Sequence, residues 1–209
     1  SDTDIKFAKN VGIKFIHRDE FVFNVIYDDI KVNYSVDFTK IGLNITKFIP
    51  KHQEMILNVG FPASGKSHYS ITQITPHDYE YINQDTLKTS KKCIDMSNKY
   101  LSENKSVVID NTNLTKENRK AFIDLAKKYK IKVRCLIFTT PIDVCIHNSY
   151  LRNFMSNGNV NVIPKMVYNI MKKKYMKPEL GEGFDEIREI EFALDDKKIT
   201  RNMYEQYYY

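Results

Sequence analysis

The 209-residue chain has no tryptophan, little alanine and three cysteines. It also lacks any unbroken run of the roughly eighteen apolar residues that a membrane-spanning helix needs. The opening Ser1-Asp-Thr-Asp-Ile-Lys6 has no basic-then-apolar secretion signal. These absences predict an intracellular soluble protein with no membrane partner, and they do not separate nucleus from cytoplasm. Cys93, Cys135 and Cys145 are odd in number, show no C-x-x-C spacing and sit within patterned stretches, so they read as reduced core thiols rather than disulfides or metal ligands. No [NT]-K-x-D stretch occurs, which argues against a guanine-reading switch. The missing tryptophan and alanine, beside abundant lysine, asparagine, isoleucine and tyrosine, fit an AT-rich coding sequence and carry no function.

What is present suffices for one main domain, since 42% of the residues are hydrophobic. The formal charge of +6 leaves two readings open, a polyanionic partner or a lysine-rich solvated surface. The chain is organised around Glu54 to Ser67, an apolar run that ends in a glycine, a turn and a lysine. Gly60, Gly65, Lys66 and Ser67 satisfy G-x-x-x-x-G-K-[ST], whose backbone N–H groups wrap phosphates while the lysine reaches the terminal ones and the hydroxyl holds Mg²⁺. Glycine permits the cramped backbone, and the helix beginning near Lys66 turns its positive end toward the anion.

Upstream, Asp2-Thr-Asp4 has the D-x-D spacing of an aspartyl-phosphate phosphatase. It lacks the buried strand such a nucleophile should cap, and reads as a surface helix cap. Val32, Tyr34, Val36 and Phe38 alternate with polar residues like a half-buried strand, and Pro50 breaks the chain before the cradle. From Met55 the pattern becomes strands alternating with helices. Strands are predicted at 56–59, 79–83, 107–110, 133–138 and 184–194. Helices are predicted from Lys66 to about Gln73, through Cys93 to Leu101, after Thr115, and from Pro141 to about Asn153. This argues for a parallel sheet covered on both faces. The polar 156–161 stretch is a candidate mobile lid. Ile163, Met166, Val167, Ile170 and Met171 form a helical stripe that ends in Lys172, Lys173, Lys174 and Lys177. That helix reads either as core-facing, with cations at its C-terminus, or as a basic surface for a nucleic-acid backbone. The three terminal tyrosines suit packing before base stacking.

A kinase using such a loop needs an acid near the acceptor hydroxyl and a cation over the transferred phosphate. Asp85 and Asp110 both fall at predicted strand ends, where open α/β sheets bind ligands. Asp85 could equally serve as a helix cap. Arg152 ends the helix before the flexible stretch.

Gly-Phe-Pro-Ala-Ser-Gly-Lys-Ser67, Tyr-Ile-Asn-Gln-Asp-Thr-Leu87, Val-Val-Ile-Asp-Asn-Thr-Asn113 and Cys-Leu-Ile-Phe138 resemble, in order and spacing, the kinase domain of the polynucleotide kinase 3′-phosphatase family. His147-Asn148, Ile163-Pro164, Met166-Val-Tyr168 and Pro178 to Phe184 extend the resemblance over roughly residues 54–194. Residues 1–23 resemble the last segment of that family's phosphatase domain, whose nucleophile-bearing start is not in this chain, so no 3′-phosphatase activity is expected here. The implied organisation is a phosphatase-domain remnant at 1–23, a linker with some β content at 24–53, and a P-loop kinase domain at 54–209. Its fold is a P-loop NTPase-type parallel sheet with helices on both faces, a lid and a C-terminal β extension.

The resemblance implies ATP and Mg²⁺ as cofactors and a nucleic acid with a 5′-hydroxyl end as partner, DNA favoured over RNA. Gly60, Phe61, Pro62, Ala63, Ser64, Gly65, Lys66, Ser67 and His68 would bind ATP, and Ser67 and Asp110 the metal. Asp85 stands where the family's general base takes the acceptor's proton. Lys66 and Arg152 would act with it in catalysis. Asp85, Asp110, Asn111 and Arg119 would meet the acceptor. Two positions depart from the family pattern, since Gln84 and Tyr150 stand where arginines are frequent. Arg152 is thereby left as the lone lid arginine. Two other readings remain open: a kinase acting on a small molecule or nucleotide, and a non-catalytic ATP-binding module.

Overall fold

The computed structural model describes residues 2–27 and 32–209. Its centre is a five-stranded sheet of β1 (Glu54–Val59), β2 (Tyr79–Ile82), β3 (Ser106–Ile109), β4 (Lys132–Phe138) and β5 (Glu186–Ile190). The strand order is β2-β3-β1-β4-β5, and every pairing is parallel. β1 is buried along its whole length, Glu54 and Asn58 included, as expected of a central parallel strand. Its alternate residues feed two cores. Met55, Leu57 and Val59 pack on one face with Phe122, Ile123 and Leu101, while Ile56 packs on the other with Tyr69, Ile74 and Phe48. The sheet is thus covered on both sides, and the C-terminal β segment is its edge strand rather than an appendage.

The helices are α1 (Thr3–Val11), α2 (Arg18–Phe23), α3 (Lys66–Tyr69), α4 (Gln84–Leu87), α5 (Ser90–Ser102), α6 (Lys116–Lys128), α7 (Ile142–Met155), α8 (Lys165–Lys174) and α9 (Arg201–Tyr204). Thr89 and Thr115 cap α5 and α6 through side-chain oxygens. Pro141 is the residue before α7, with ψ of 146°, and does not stand inside its first turn. The predicted helix from Lys66 to Gln73 is a mixed run: α3, then a π turn over Ser70–Ile74, then a 3₁₀ turn over Thr75–His77. Thr72 and Thr75 hydroxyls donate to the carbonyls of His68 and Ile71, each at 2.8 Å, a back-bonding that loosens a helical ladder.

The alternation at Val32 to Phe38 does not make a strand. Tyr34 and Phe38 are half-buried, Val36 is buried and the residues between are exposed, yet no ladder forms. The segment packs by side chains against α7 and α9, and its neighbour Gly42 makes one isolated bridge to Ala193. Residues 156–161 form a self-bonded turn, with Val160 N donating to Ser156 Oγ and Asn153 Nδ2 to Val160 O. Tyr207, Tyr208 and Tyr209 pack against Tyr34, His147 and Tyr150. Asp2 precedes α1 without capping it; its carboxylate meets Lys6 at 3.1 Å and accepts from Asn33 N. No helix of the described residues is long and apolar enough to cross a membrane.

Candidate active site

Between the end of β1 and α3 the chain turns tightly. Gly65 has φ of +95° and Ala63, a non-glycine residue, +57°. A Cβ on Gly60 would lie 3.0 Å from both Phe138 Cβ and Ser64 Oγ, so any larger residue would crowd the strand end and the loop. The carbonyls of Gly60, Phe61, Pro62, Ala63 and Ser64 are all engaged by side chains. Gly60 O and Phe61 O accept from Lys66 Nζ at 3.0 and 2.6 Å. Pro62 O accepts from Tyr168 of α8 at 3.4 Å, Ala63 O from Asn148 of α7 at 3.0 Å, and Ser64 O from Thr140 at 2.7 Å. The N–H groups of Phe61, Ala63, Gly65, Lys66 and Ser67 have no acceptor among the described residues. Such a concave array of unpaired N–H dipoles is an anion site.

Lys66 is buried, and burial pulls its ammonium down to about 8 against the opposing pull of Asp110. Cys145, Asp85 and Arg152 also act on that charge at longer range. The loop, both strand-end acids and the arginine therefore share one locality. Cys145 is held as a thiol, its titration pushed up by burial to about 12.

Asp110 follows β3 and is 3% exposed. Its side chain accepts from Tyr81 Oη and Asn83 Nδ2, and its backbone carbonyl accepts from Asn83 Nδ2 at 2.8 Å. The Tyr81 hydroxyl also interacts with Ser67, so the carboxylate and the exposed loop hydroxyl lie on the same side of the loop. Asn58, within 3.5 Å of Asp110, has a buried Oδ1 without a partner. Serine hydroxyl and carboxylate are hard oxygen donors that fit Mg²⁺. Among the described residues no group of three or more His, Cys, Asp or Glu could hold a metal ion.

Asp85 is exposed in α4 and is not its cap. Asn83 fills that role by accepting from Thr86 N at 3.2 Å. Asn111 Oδ1 accepts from Gln84 N at 2.8 Å and so pins the start of the helix that carries Asp85.

Arg119 requires a correction. It is fully buried, with Nε and Nη2 on the two oxygens of Glu182 at 2.8 and 2.7 Å and Nη1 on Asn113 O at 3.0 Å. A guanidinium so committed cannot meet a substrate. It fixes Asn113, whose amide in turn donates to Asn58 O of β1 at 2.8 Å.

On the opposite flank from the acids, a cavity of about 360 Å³ opens beside the loop, lined among others by His68, Arg152, Phe192, Leu194 and Ile199. Arg152 is exposed at its edge and makes no ion pair among the described residues. His68 is partnered by Asp195 at 3.1 Å, while burial and Lys198 lower its titration. Three anchors of the loop, Thr140, Asn148 and Tyr168, escaped sequence reasoning as functional positions. Asn148 and Tyr168 stood within the family resemblance without a role.

A family model described as an AAA domain matches residues 55–178. A bifunctional polynucleotide phosphatase/kinase of Schizosaccharomyces pombe is 34% identical over 97% of this chain and 50% of its own length. A protein of Acanthamoeba polyphaga mimivirus named for the same two activities is 37% identical over 97% of this chain and 52% of its own. The chain thus spans about half the length of these relatives. Kti12 of Chaetomium thermophilum, solved with ADP-AlF₃, superposes with a TM-score of 0.53 at 15% identity, covering 72% of this chain and 95% of that one, a likeness of fold. The sheet order, the phosphate loop and these matches together mean that the chain belongs to the AAA-domain family, with a P-loop kinase-type α/β fold, and is a homologue of the polynucleotide phosphatase/kinases.

Proposed function

We propose that this chain is an ATP-dependent kinase that phosphorylates the 5′-hydroxyl end of a polynucleotide, with DNA as the favoured acceptor. The observation that carries the reading is the convergence on Lys66 of the unpaired loop amides, Asp110, Asp85 and Arg152. The named activities of the two relatives, at over 30% identity along nearly the whole chain, support the polynucleotide acceptor.

In this reading the loop amides and Lys66 hold the ATP phosphates, and His68 with the adjoining cavity takes the nucleoside side. Ser67 and Asp110 would hold Mg²⁺, which neutralises phosphate charge when bound. Asp85, exposed on the acid flank, accepts the proton of the 5′-hydroxyl. The acceptor oxygen then forms its bond to the γ-phosphorus while the bond from that phosphorus to the β–γ bridging oxygen breaks, and ADP departs. Arg152 supplies positive charge to the transferred group.

The same reading takes residues 1–23 as the end of a phosphatase-type domain, 24–53 as a linker and 54–209 as the kinase. The exposure of Phe7, Phe21 and Phe23, at 63%, 79% and 66%, supports it, because such a run of bare aromatics calls for a covering partner. The test is transfer from γ-labelled ATP to 5′-hydroxyl oligonucleotides presented as single strands, nicks and ribose-containing strands. Label on none of them refutes the acceptor assignment, and label on ribose alone refutes DNA.

A further inference from the structure

Ala63 sits in the left-handed region with φ of +57°, a conformation that is strained for any residue with a Cβ and persists only where its surroundings hold it. Its carbonyl accepts from Asn148 Nδ2 at 3.0 Å. The other end of that amide is also engaged, because Tyr204 Oη donates to Asn148 Oδ1 at 2.8 Å. With both ends engaged, the amide has one favourable orientation, since flipping it would set oxygen against the Ala63 carbonyl.

Tyr204 lies 56 positions beyond Asn148, in the short helix α9, and is itself fixed in place. It is 1% exposed, and its ring packs between His147, at 4.7 Å, and Phe192, at 6.0 Å. The first residue of that helix is held too, as Arg201 donates to Ile41 O at 2.7 Å and to Phe38 O. Burial raises the phenol's titration far above neutrality, so it remains a donor.

We propose that Asn148 and Tyr204 are positioning residues for nucleotide binding: Tyr204 orients the Asn148 amide, which holds the Ala63 carbonyl outward so that the loop's N–H groups face the phosphates. The inference rests on the phosphate-loop reading and adds to it a dependence on the C-terminal helix. Truncating Asn148 leaves the strained carbonyl unheld. Removing the Tyr204 hydroxyl only frees the amide to turn, so its effect is smaller and depends on Asn148 being present.

The test is calorimetric binding of Mg-ATP to the full chain and to Asn148→Ala, Tyr204→Phe and the double variant, with binding of a 5′-hydroxyl oligonucleotide measured in parallel. The expected result is about tenfold weaker ATP binding in Asn148→Ala, as follows from losing one buried hydrogen bond. Tyr204→Phe should lose a few-fold, and the double variant no more than Asn148→Ala. Oligonucleotide affinity should be unchanged. Losses that multiply in the double variant, unchanged ATP affinity, or equal weakening of both ligands would each overturn the inference. If Asn148→Ala does not fold, Tyr204→Phe alone decides, through a loss of ATP affinity with oligonucleotide binding intact. A parent chain that binds no ATP overturns the phosphate-loop reading and this inference with it.

Discussion

Lys66 donates its ammonium to the carbonyl of Phe61 at 2.6 Å, so the cation that should meet a phosphate is held by the very loop that cradles it. It is poised at the mouth of the anion site but poorly solvated, with burial lowering its titration to about 8. An arriving polyphosphate favours the charged form and raises that value. ATP binding above pH 8 should therefore take up a proton, and affinity should fall as pH rises beyond 8, by up to about tenfold per unit. Calorimetry at pH 7.5 and 9 in buffers of different ionisation enthalpy reads both effects. A pH-independent affinity across this range would show that Lys66 is not the group meeting the phosphate.

Asp85 is exposed, at the head of a helix pinned by Asn83 and Asn111, and its carboxylate accepts no hydrogen bond among those of the described residues, while its backbone carbonyl accepts from Lys88 Nζ at 2.7 Å. Replacing it with Asn should leave ATP affinity close to the parent's and lower turnover on the order of a hundredfold or more. Pre-steady-state transfer to a labelled oligonucleotide separates the two, and normal turnover would remove Asp85 from the chemistry.

Arg152 lines the cavity edge and has no ion-pair partner among the described residues. Arg152→Ala should depress kcat by roughly ten- to a thousandfold while changing ATP affinity little, because in the proposed reaction its charge acts on the phosphate as it is transferred. A change confined to KM for ATP would make it a ground-state binding residue.

Arg119 should behave differently from both. Cutting the buried pair with Glu182 strands a charge, so Arg119→Ala should cost about 3–5 kcal/mol of stability. For a chain of this size that corresponds to a melting temperature lower by roughly 10 °C. Kinetic constants measured well below the transition should stay within a few-fold of the parent's. A large kinetic defect with unchanged melting would return Arg119 to the acceptor site.

His147 is wholly buried, with Nδ1 2.6 Å from Tyr34 Oη, and burial lowers its titration to about 4. The unfolded chain, with an ordinary histidine near 6.5, binds the extra proton first as pH falls. Stability from this residue is thus present above pH 6.5 and lost progressively down to about 4, on the order of 3 kcal/mol in all. His68, also lowered, acts in the same direction. Urea unfolding at pH 7 and 5 should show the loss, and His147→Phe should flatten the slope.

Much of this was legible in sequence because it is written locally. β-branched and apolar runs marked four strands within two residues, and the loop spacing marked the anion site. The acids could be placed because they follow strands. Relations between distant residues were not legible. Nothing near Arg119 announces Glu182, 63 positions later, so an arginine after a functional stretch read as a substrate contact. The alternation at 32–38 reported burial correctly but could not say that the buried side chains meet helices instead of a neighbouring strand. The loop anchors failed for a third reason, since a side chain that serves a backbone carbonyl has no characteristic spacing or residue type.

The anchors on Pro62, Ala63 and Ser64 come from residues 168, 148 and 140. A nascent chain emerging from the ribosome therefore carries the complete glycine–lysine motif well before anything exists to shape it. Fragments ending at Phe138 would contain every residue of the motif and all strands but β5, and should still bind nucleotide poorly. The ability to hold a phosphate is in this sense acquired late in synthesis, when α7 and α8 close over a loop made some eighty residues earlier.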